Sequence, residues 1–255
     1  MEPGPHLVSR VGALLRSVAN HEPTGTTTAG VAHAAGLPRP TVHRLLTSLQ
    51  AEGLVDRIAS SGHWVLGPEL FFLGNAAAAR YDVTGLARPS VTRLAQATGE
   101  SAFFSARRGD ETICLVREDG SFPIRSFVLY EGVRFPLGVA SAGLVILAHL
   151  PEHEREAYLA RVDLTTAWGP AHGRLPLADR VRATRRTGYA VNPGLVVEGS
   201  WGLGAAVFDS TGTPAWALSL TGIESRFTEA RRSELGTLLL REAHTLSQRL
   251  QRAIH

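Results

Sequence analysis

Val31-Ala32-His33-Ala34-Ala35-Gly36-Leu37-Pro38-Arg39-Pro40-Thr41-Val42-His43-Arg44-Leu45-Leu46 is the stretch on which the reading of the fold turns. Its first half completes a short apolar helix that begins after Thr26-Thr27-Thr28, hydroxyl residues of the kind that satisfy orphan amides at a helix start. Gly36 stands where a helix commonly closes through a left-handed residue. Arg39 precedes a proline and is expected to be extended, so that the next helix opens with Pro40 in its first position and runs to about Glu52. At about 100° per residue, Val42, Leu45, Leu46 and Leu49 share one side of that helix. Pro40, Arg44, Thr47 and Ala51 lie opposite, with Thr41, His43 and Ser48 on the flanks. One face is built for a core; the other is small, hydroxylated and basic.

Upstream, Leu7, Val8, Val11, Leu14, Leu15 and Val18 recur at helical spacing, and Pro23 ends the pattern. Downstream, Leu54–Ile58 and His63–Leu66 read as two short strands joined by the turn-forming Ala59-Ser60-Ser61-Gly62. Residues 1–67 therefore form three helices and a hairpin with the spacing of a winged helix-turn-helix. The turn at Gly36-Leu37-Pro38 sets the third helix across the second and points its polar face outward, the geometry that enters a DNA major groove. Ser60, Ser61 and His63 at the hairpin tip are placed to follow phosphates or enter the minor groove. A helix from Glu69 to Arg80 makes residues 68–83 a connector.

Residues 84–255 change class. A helix over Thr84–Thr98 precedes strands at Ala102–Ala106, Thr112–Arg117 and Ile124–Tyr130, separated by Arg108-Gly109-Asp110 and Asp119-Gly120. An apolar helix at Val139–Leu150, a polar one from Glu152 and an arginine-rich one at Leu177–Thr187 follow. Strands at Leu203–Asp209 and Ala215–Thr221 flank Ser210-Thr211-Gly212, and an amphipathic helix spans Thr228–Arg252. The expected class is α+β, a winged head joined to a mixed domain on an antiparallel sheet.

Composition narrows the partners. With 255 residues, 44% hydrophobic and 19% charged, the chain is neither disordered nor fibrous. Twenty-six basic residues against 23 acidic ones give +3, and every basic residue is arginine. Within residues 1–67, Arg10, Arg16, Arg39, Arg44 and Arg57 exceed Glu2, Glu22, Glu52 and Asp56 by one charge. A single head would bind DNA weakly, so paired heads in an oligomer are expected. Cys114 is the lone cysteine, which excludes an intramolecular disulfide or a cysteine-rich zinc module. The N-terminus lacks the pattern of a secretory signal, and the Val139–Leu150 stretch falls short of the roughly 20 residues a bilayer requires. The expectation is a soluble cytoplasmic protein without membrane, metal or cofactor.

The quoted run resembles the IclR family of bacterial transcriptional regulators, and so do Leu49-Gln50-Ala51-Glu52-Gly53-Leu54-Val55 and Leu66-Gly67-Pro68. Further blocks follow in the family's order: Leu94–Ala102, Pro136–Gly143, Gly188-Tyr189-Ala190 and Ala205–Asp209. The resemblance implies a DNA-binding head, a connector that also dimerises, and a GAF-like domain for a small effector. Its members bind palindromic operators as dimers or tetramers, often as repressors. On this reading Thr28 meets a phosphate, and Arg39, Thr41, His43, Arg44 and Thr47 belong to the DNA-facing surface. The partners implied are double-stranded operator DNA, a small effector such as an organic or aromatic acid, and further copies of the chain as a homodimer or homotetramer.

The effector region departs from the family pattern. Pro136-Leu137-Gly138-Val139-Ala140 and Gly143-Leu144 replace Pro-Leu-His-Ala-Thr and Gly-Lys, and Leu195, Gly202 and Ala206 stand where polar or proline residues are usual. The expected pocket is thus more apolar than the family norm, with anchors at Ser141, Arg125, Asn192, Trp201 and Ser219. A buried arginine would suit an acid, and Trp201 an aromatic ring. The alternative is an α/β hydrolase or esterase using Ser141. Val139-Ala140-Ser141-Ala142-Gly143, however, lacks the first glycine of a nucleophile elbow, and no catalytic residue is assigned.

Overall fold

A computed structural model describes residues 7–78, 83–125 and 128–253. The chain divides into two units, residues 1–81 and 82–255. In the first, α1 (Leu7–Ala19), α2 (Thr28–Ala35) and α3 (Arg39–Ala51) precede a hairpin of β1 (Val55–Arg57) and β2 (Trp64–Leu66), then α4 (Pro68–Ala78). Thr27 caps α2 by accepting the Gly30 N–H at 3.0 Å. Gly36 closes that helix in the left-handed region at φ 62°, a conformation glycine adopts without steric cost. Arg39 is not extended as expected: it begins α3, and Pro38 is the extended residue with ψ 135°. Pro40 still lies in the first turn, where its missing N–H would have had no helical acceptor. Leu14, Val18, Val31, Val42, Leu46, Leu49, Val55 and Trp64 form the core of this unit, with Leu45 half-buried at its edge.

The second unit opens with α5 (Val83–Thr98). Strands β3 (Ser101–Arg108), β4 (Glu111–Glu118) and β5 (Arg134–Pro136) follow, then α6 (Ser141–His149), α7 (Glu152–Arg161), α8 (Thr165–Trp168) and α9 (Arg174–Thr187). After β6 (Tyr189–Pro193), β7 (Ser200–Phe208) and β8 (Pro214–Ile223), the chain ends in α10 (Glu229–Ala253). The six strands form one antiparallel sheet in the order β5-β4-β3-β8-β7-β6. Alternation along β7 and β8 divides the residues between two cores. Leu203, Ala205, Val207, Leu218 and Leu220 pack with α5 and α10, whereas Ala206 and Ala217 face α6. All but one residue of α6 are buried, as befits a helix apolar on every side.

One expected strand is absent. Ile124–Tyr130 is irregular in its described part, and residues 126–127 lie outside the described residues. The outer edge of β4 is taken instead by β5, in the register Thr112↔Phe135. Just before β5, Gly132 N–H donates to Cys114 O at 2.8 Å and Cys114 N–H to Val133 O at 3.0 Å. Ile124 and Tyr130 are both exposed. Residues 79–82 of the expected connector, Arg80 included, also lie outside the described residues. No helix among the described residues is long and apolar enough to cross a membrane.

Burial pushes the Cys114 thiol up to about 12. At pH 8 it should therefore remain unmodified by a disulfide reagent in the folded protein and react fully in denaturant. Rapid labelling of the native chain would show that the β4 edge opens.

Candidate nucleic-acid interface and ligand pocket

α3 presents Arg39, His43, Arg44 and Thr47 to solvent, with Thr41 half-buried. The opposite face, through Val42, Leu46 and Leu49, is locked into the core, so the exposed side chains project from a fixed backbone. Thr47 donates its hydroxyl to His43 O at 2.9 Å, which leaves its oxygen lone pairs outward. Arg39 and Arg44 carry the positive charge of this face. Thr28 is placed less openly: it accepts the Trp64 indole N–H at 2.9 Å, which joins α2 to the hairpin.

The hairpin is fixed to the helices at a second point. Thr26 and Trp64 exchange backbone hydrogen bonds of 3.0 and 2.8 Å. Ser60 and Ser61 are exposed at the tip, whereas His63 is half-buried, with its ring 3.2 Å from Thr24 O. Arg57 is a residue the sequence reading did not single out. Its Nε donates to Gly62 O at 3.0 Å, and its guanidinium lies 4.9 Å from the Trp64 ring centroid. Held on both sides and exposed beside Asp56, it gives the wing one fixed cation; it stands opposite the buried Trp64 in the β1–β2 register, a pairing that only the fold reveals.

In the second unit, Ser141, Asn192 and Ser219 line one small cavity between α6 and the sheet, together with Thr221, Ser105 and Phe135. Its volume is about 30 Å³, room for one or two waters. Ser219 Oγ and Thr221 Oγ1 are buried there without a hydrogen-bond partner among the described residues. They sit two apart on β8 and so share a face. The first-turn amides of α6, which begins at Ser141, have no partner inside a helix. Asn192 is fixed by two local bonds, its Nδ2 donating to Val139 O at 2.7 Å and its Oδ1 accepting the Leu195 N–H at 2.9 Å, which leave one N–H and one oxygen lone pair of the amide. Glycine is required where β7 meets α6, because a Cβ on Gly204 would lie 2.6 Å from Ser141 O.

Two expected anchors belong elsewhere. Arg125 is exposed, paired with Asp119 at 2.9 Å, and lines a neighbouring open cleft with Val197 and Ile223. Trp201 contributes to the cavity wall, but alternation along β7 turns its ring to the α10 side, where the Arg232 guanidinium lies 5.0 Å above it. The described residues lining the cavity include no charged side chain and no histidine, so Ser141 has no general base beside it. Thr221 and Ser105 were missed, although each shares the α6-facing alternation of its strand.

The family model for the bacterial transcriptional regulator IclR C-terminal matches residues 75–248, and that for the IclR helix-turn-helix domain matches residues 7–59. The chain is 28% identical to the transcriptional repressor IclR of Escherichia coli over 219 residues, covering 84% of this chain and 78% of the relative. It is 30% identical to the regulator BhcR of Paracoccus denitrificans over 229 residues, covering 88% and 80%. An IclR homologue from Microbacterium hydrocarbonoxydans, crystallised with 4-hydroxybenzoate, superimposes with a TM-score of 0.77 at 23% identity, covering 96% of this chain and 99% of that one.

Proposed function

Because this chain belongs to the IclR family of bacterial transcriptional regulators, we propose that it is a repressor whose paired heads grip a palindromic operator until a small effector enters the C-terminal cavity. The observation that carries the DNA-binding half of this reading is the face of α3, with Arg39, His43 and Arg44 exposed opposite a locked core. The exposed Arg57, held on the wing by Gly62 and Trp64, supports it. Repression is favoured by the repressor named among the relatives. Pairing is favoured by the low charge of one head and by Phe71, Phe72 and Leu73, which leave large apolar surface exposed on α4. A nuclease footprint on the gene's own upstream DNA tests this: two protected half-sites about 10 bp apart or a multiple of that are expected. A single protected half-site would contradict pairing.

The effector half rests on the orphan hydroxyls of Ser219 and Thr221 beside the first turn of α6. An organic acid, of the kind bound by the Microbacterium homologue, would be held by hydroxyls and helix amides rather than by arginine. At about 30 Å³ the cavity must widen to admit it, so the ligand selects a different arrangement of the domain. It can change operator affinity only by its difference in affinity for the two arrangements. Ser219→Ala separates this role from a structural one. Removing a buried hydroxyl that has no partner should raise the stability of the C-terminal unit by about 1 kcal/mol while weakening effector-driven release of DNA. A loss of stability in thermal unfolding would mean that Ser219 is a structural bond.

A further inference from the structure

A second cleft lies between α9, β6 and the first turns of α10, apart from the neutral cavity. Arg180 and Thr184 of α9, Tyr189 and Pro193 of β6, and Glu229 and Arg232 of α10 line it, and its volume is about 450 Å³, within the usual range for a ligand site. Its arginines stand out against the rest of the unit. Among the described residues of the C-terminal unit, seven arginines are not exposed: 107, 117, 155, 180, 226, 231 and 232. Five of them, Arg107, Arg117, Arg155, Arg226 and Arg231, have a carboxylate within 4.0 Å. Arg180 and Arg232, the two that face this cleft, have none.

Arg180 donates to Gly138 O at 3.2 Å and to Ala171 O at 3.3 Å, and its Nε is buried without an acceptor. Burial holds its guanidinium below the ordinary arginine range. Arg232 touches the π-face of Trp201. A desolvated cation met only by neutral dipoles is costly. Glu229 is the cleft's own carboxylate and lies beyond ion-pair reach of both, so the site keeps one positive charge in excess. α10 also begins here, at Glu229, and its first-turn amides carry the positive end of the helix dipole. We propose that this cleft is a second ligand site, specific for a small oxyanion, carboxylate or phosphate, held between the Arg180 and Arg232 guanidinium groups.

The full-length protein is titrated calorimetrically with inorganic phosphate and with succinate at low ionic strength, against chloride as control. Saturable binding of either oxyanion at one per chain is expected, and the stronger of the two identifies the class. Arg232→Gln should weaken it about tenfold or more, the effect of losing a charge-assisted hydrogen bond. Glu229→Gln should tighten it a few-fold by removing the repelling carboxylate. Arg180→Gln also cuts the tie to Gly138 and Ala171, so its loss of binding counts only when its circular dichroism and melting match the wild type. The absence of saturable binding by either anion, or binding that Arg232→Gln and Glu229→Gln leave unchanged, would overturn the assignment. An oligomeric mass that Arg232→Gln lowers with neither anion present would give the unpaired cations to a second copy of the chain, and would overturn it equally.

Discussion

Replacing Arg44 with alanine is expected to weaken binding to operator DNA about ten- to a hundredfold and to leave the melting temperature nearly unchanged. The magnitude is that of one arginine fork on a guanine edge, about 1 to 3 kcal/mol. The selectivity of the effect follows from position. Arg44 is exposed on α3, whereas Val42, Leu46 and Leu49 carry the packing, so truncating it removes no core contact. Fluorescence anisotropy on operator and scrambled DNA, beside a melting curve, distinguishes three roles. A loss confined to the operator marks a base contact, and an equal loss on both DNAs marks a phosphate contact with a shallower salt slope. A marked fall in melting temperature with either would make Arg44 structural and contradict the assignment of this face.

Trp64→Ala has the largest expected effect on stability, about 3 to 5 kcal/mol. Trp64 is 1% exposed. Its indole N–H binds Thr28, its backbone bridges Thr26, and its ring carries Arg57. The side chain thus joins the wing to the second helix of a unit with one small core. A loss of this size is comparable to the whole stability of so small a domain. Thermal unfolding should then show the transition of the N-terminal unit lost or strongly lowered, with that of the C-terminal unit retained, and specific DNA binding should disappear. Trp64→Phe keeps most of the apolar contact and should cost far less. An unaltered first transition in Trp64→Ala would show that the wing is held by something else.

The head was legible because its elements are punctuated locally. Thr27, Gly36 and the proline pair bracket helices whose apolar stripes point to one core, and Ser60-Ser61-Gly62 marks the hairpin turn. The misplaced start of α3 is a one-residue matter of how the first turn tolerates Pro40. The C-terminal unit was legible where strands were long and alternating, and failed at the sheet edge. Ile124–Tyr130 is apolar and β-branched enough to be a strand, but which segment pairs with β4 is decided by tertiary hydrogen bonds at Gly132 and Val133. β6 was missed because its five residues follow directly on Gly188 and end in Pro193.

Site residues divide in the same way. Ser141, Asn192 and Ser219 converge on one cavity, yet Trp201 faces the other side of the sheet and Arg125 pairs with Asp119. Period-two alternation assigns a face once the register of β7 is known, and the register is a property of the sheet rather than of the strand. The same rule, applied from Ser219, leads to Thr221. Arg57 was invisible for another reason: its importance comes from Trp64 and Gly62, across the hairpin.

Recognition of a DNA sequence by the face of α3 is the expectation on which the proposed function rests. Fluorescence anisotropy of the wild-type protein on labelled DNA from the gene's own upstream region, against a scrambled duplex of equal length and composition at the same salt, tests it most directly. Binding at least about a thousandfold tighter to the native sequence is expected, the lower range for specific regulators. Equal affinity for the two duplexes would contradict it.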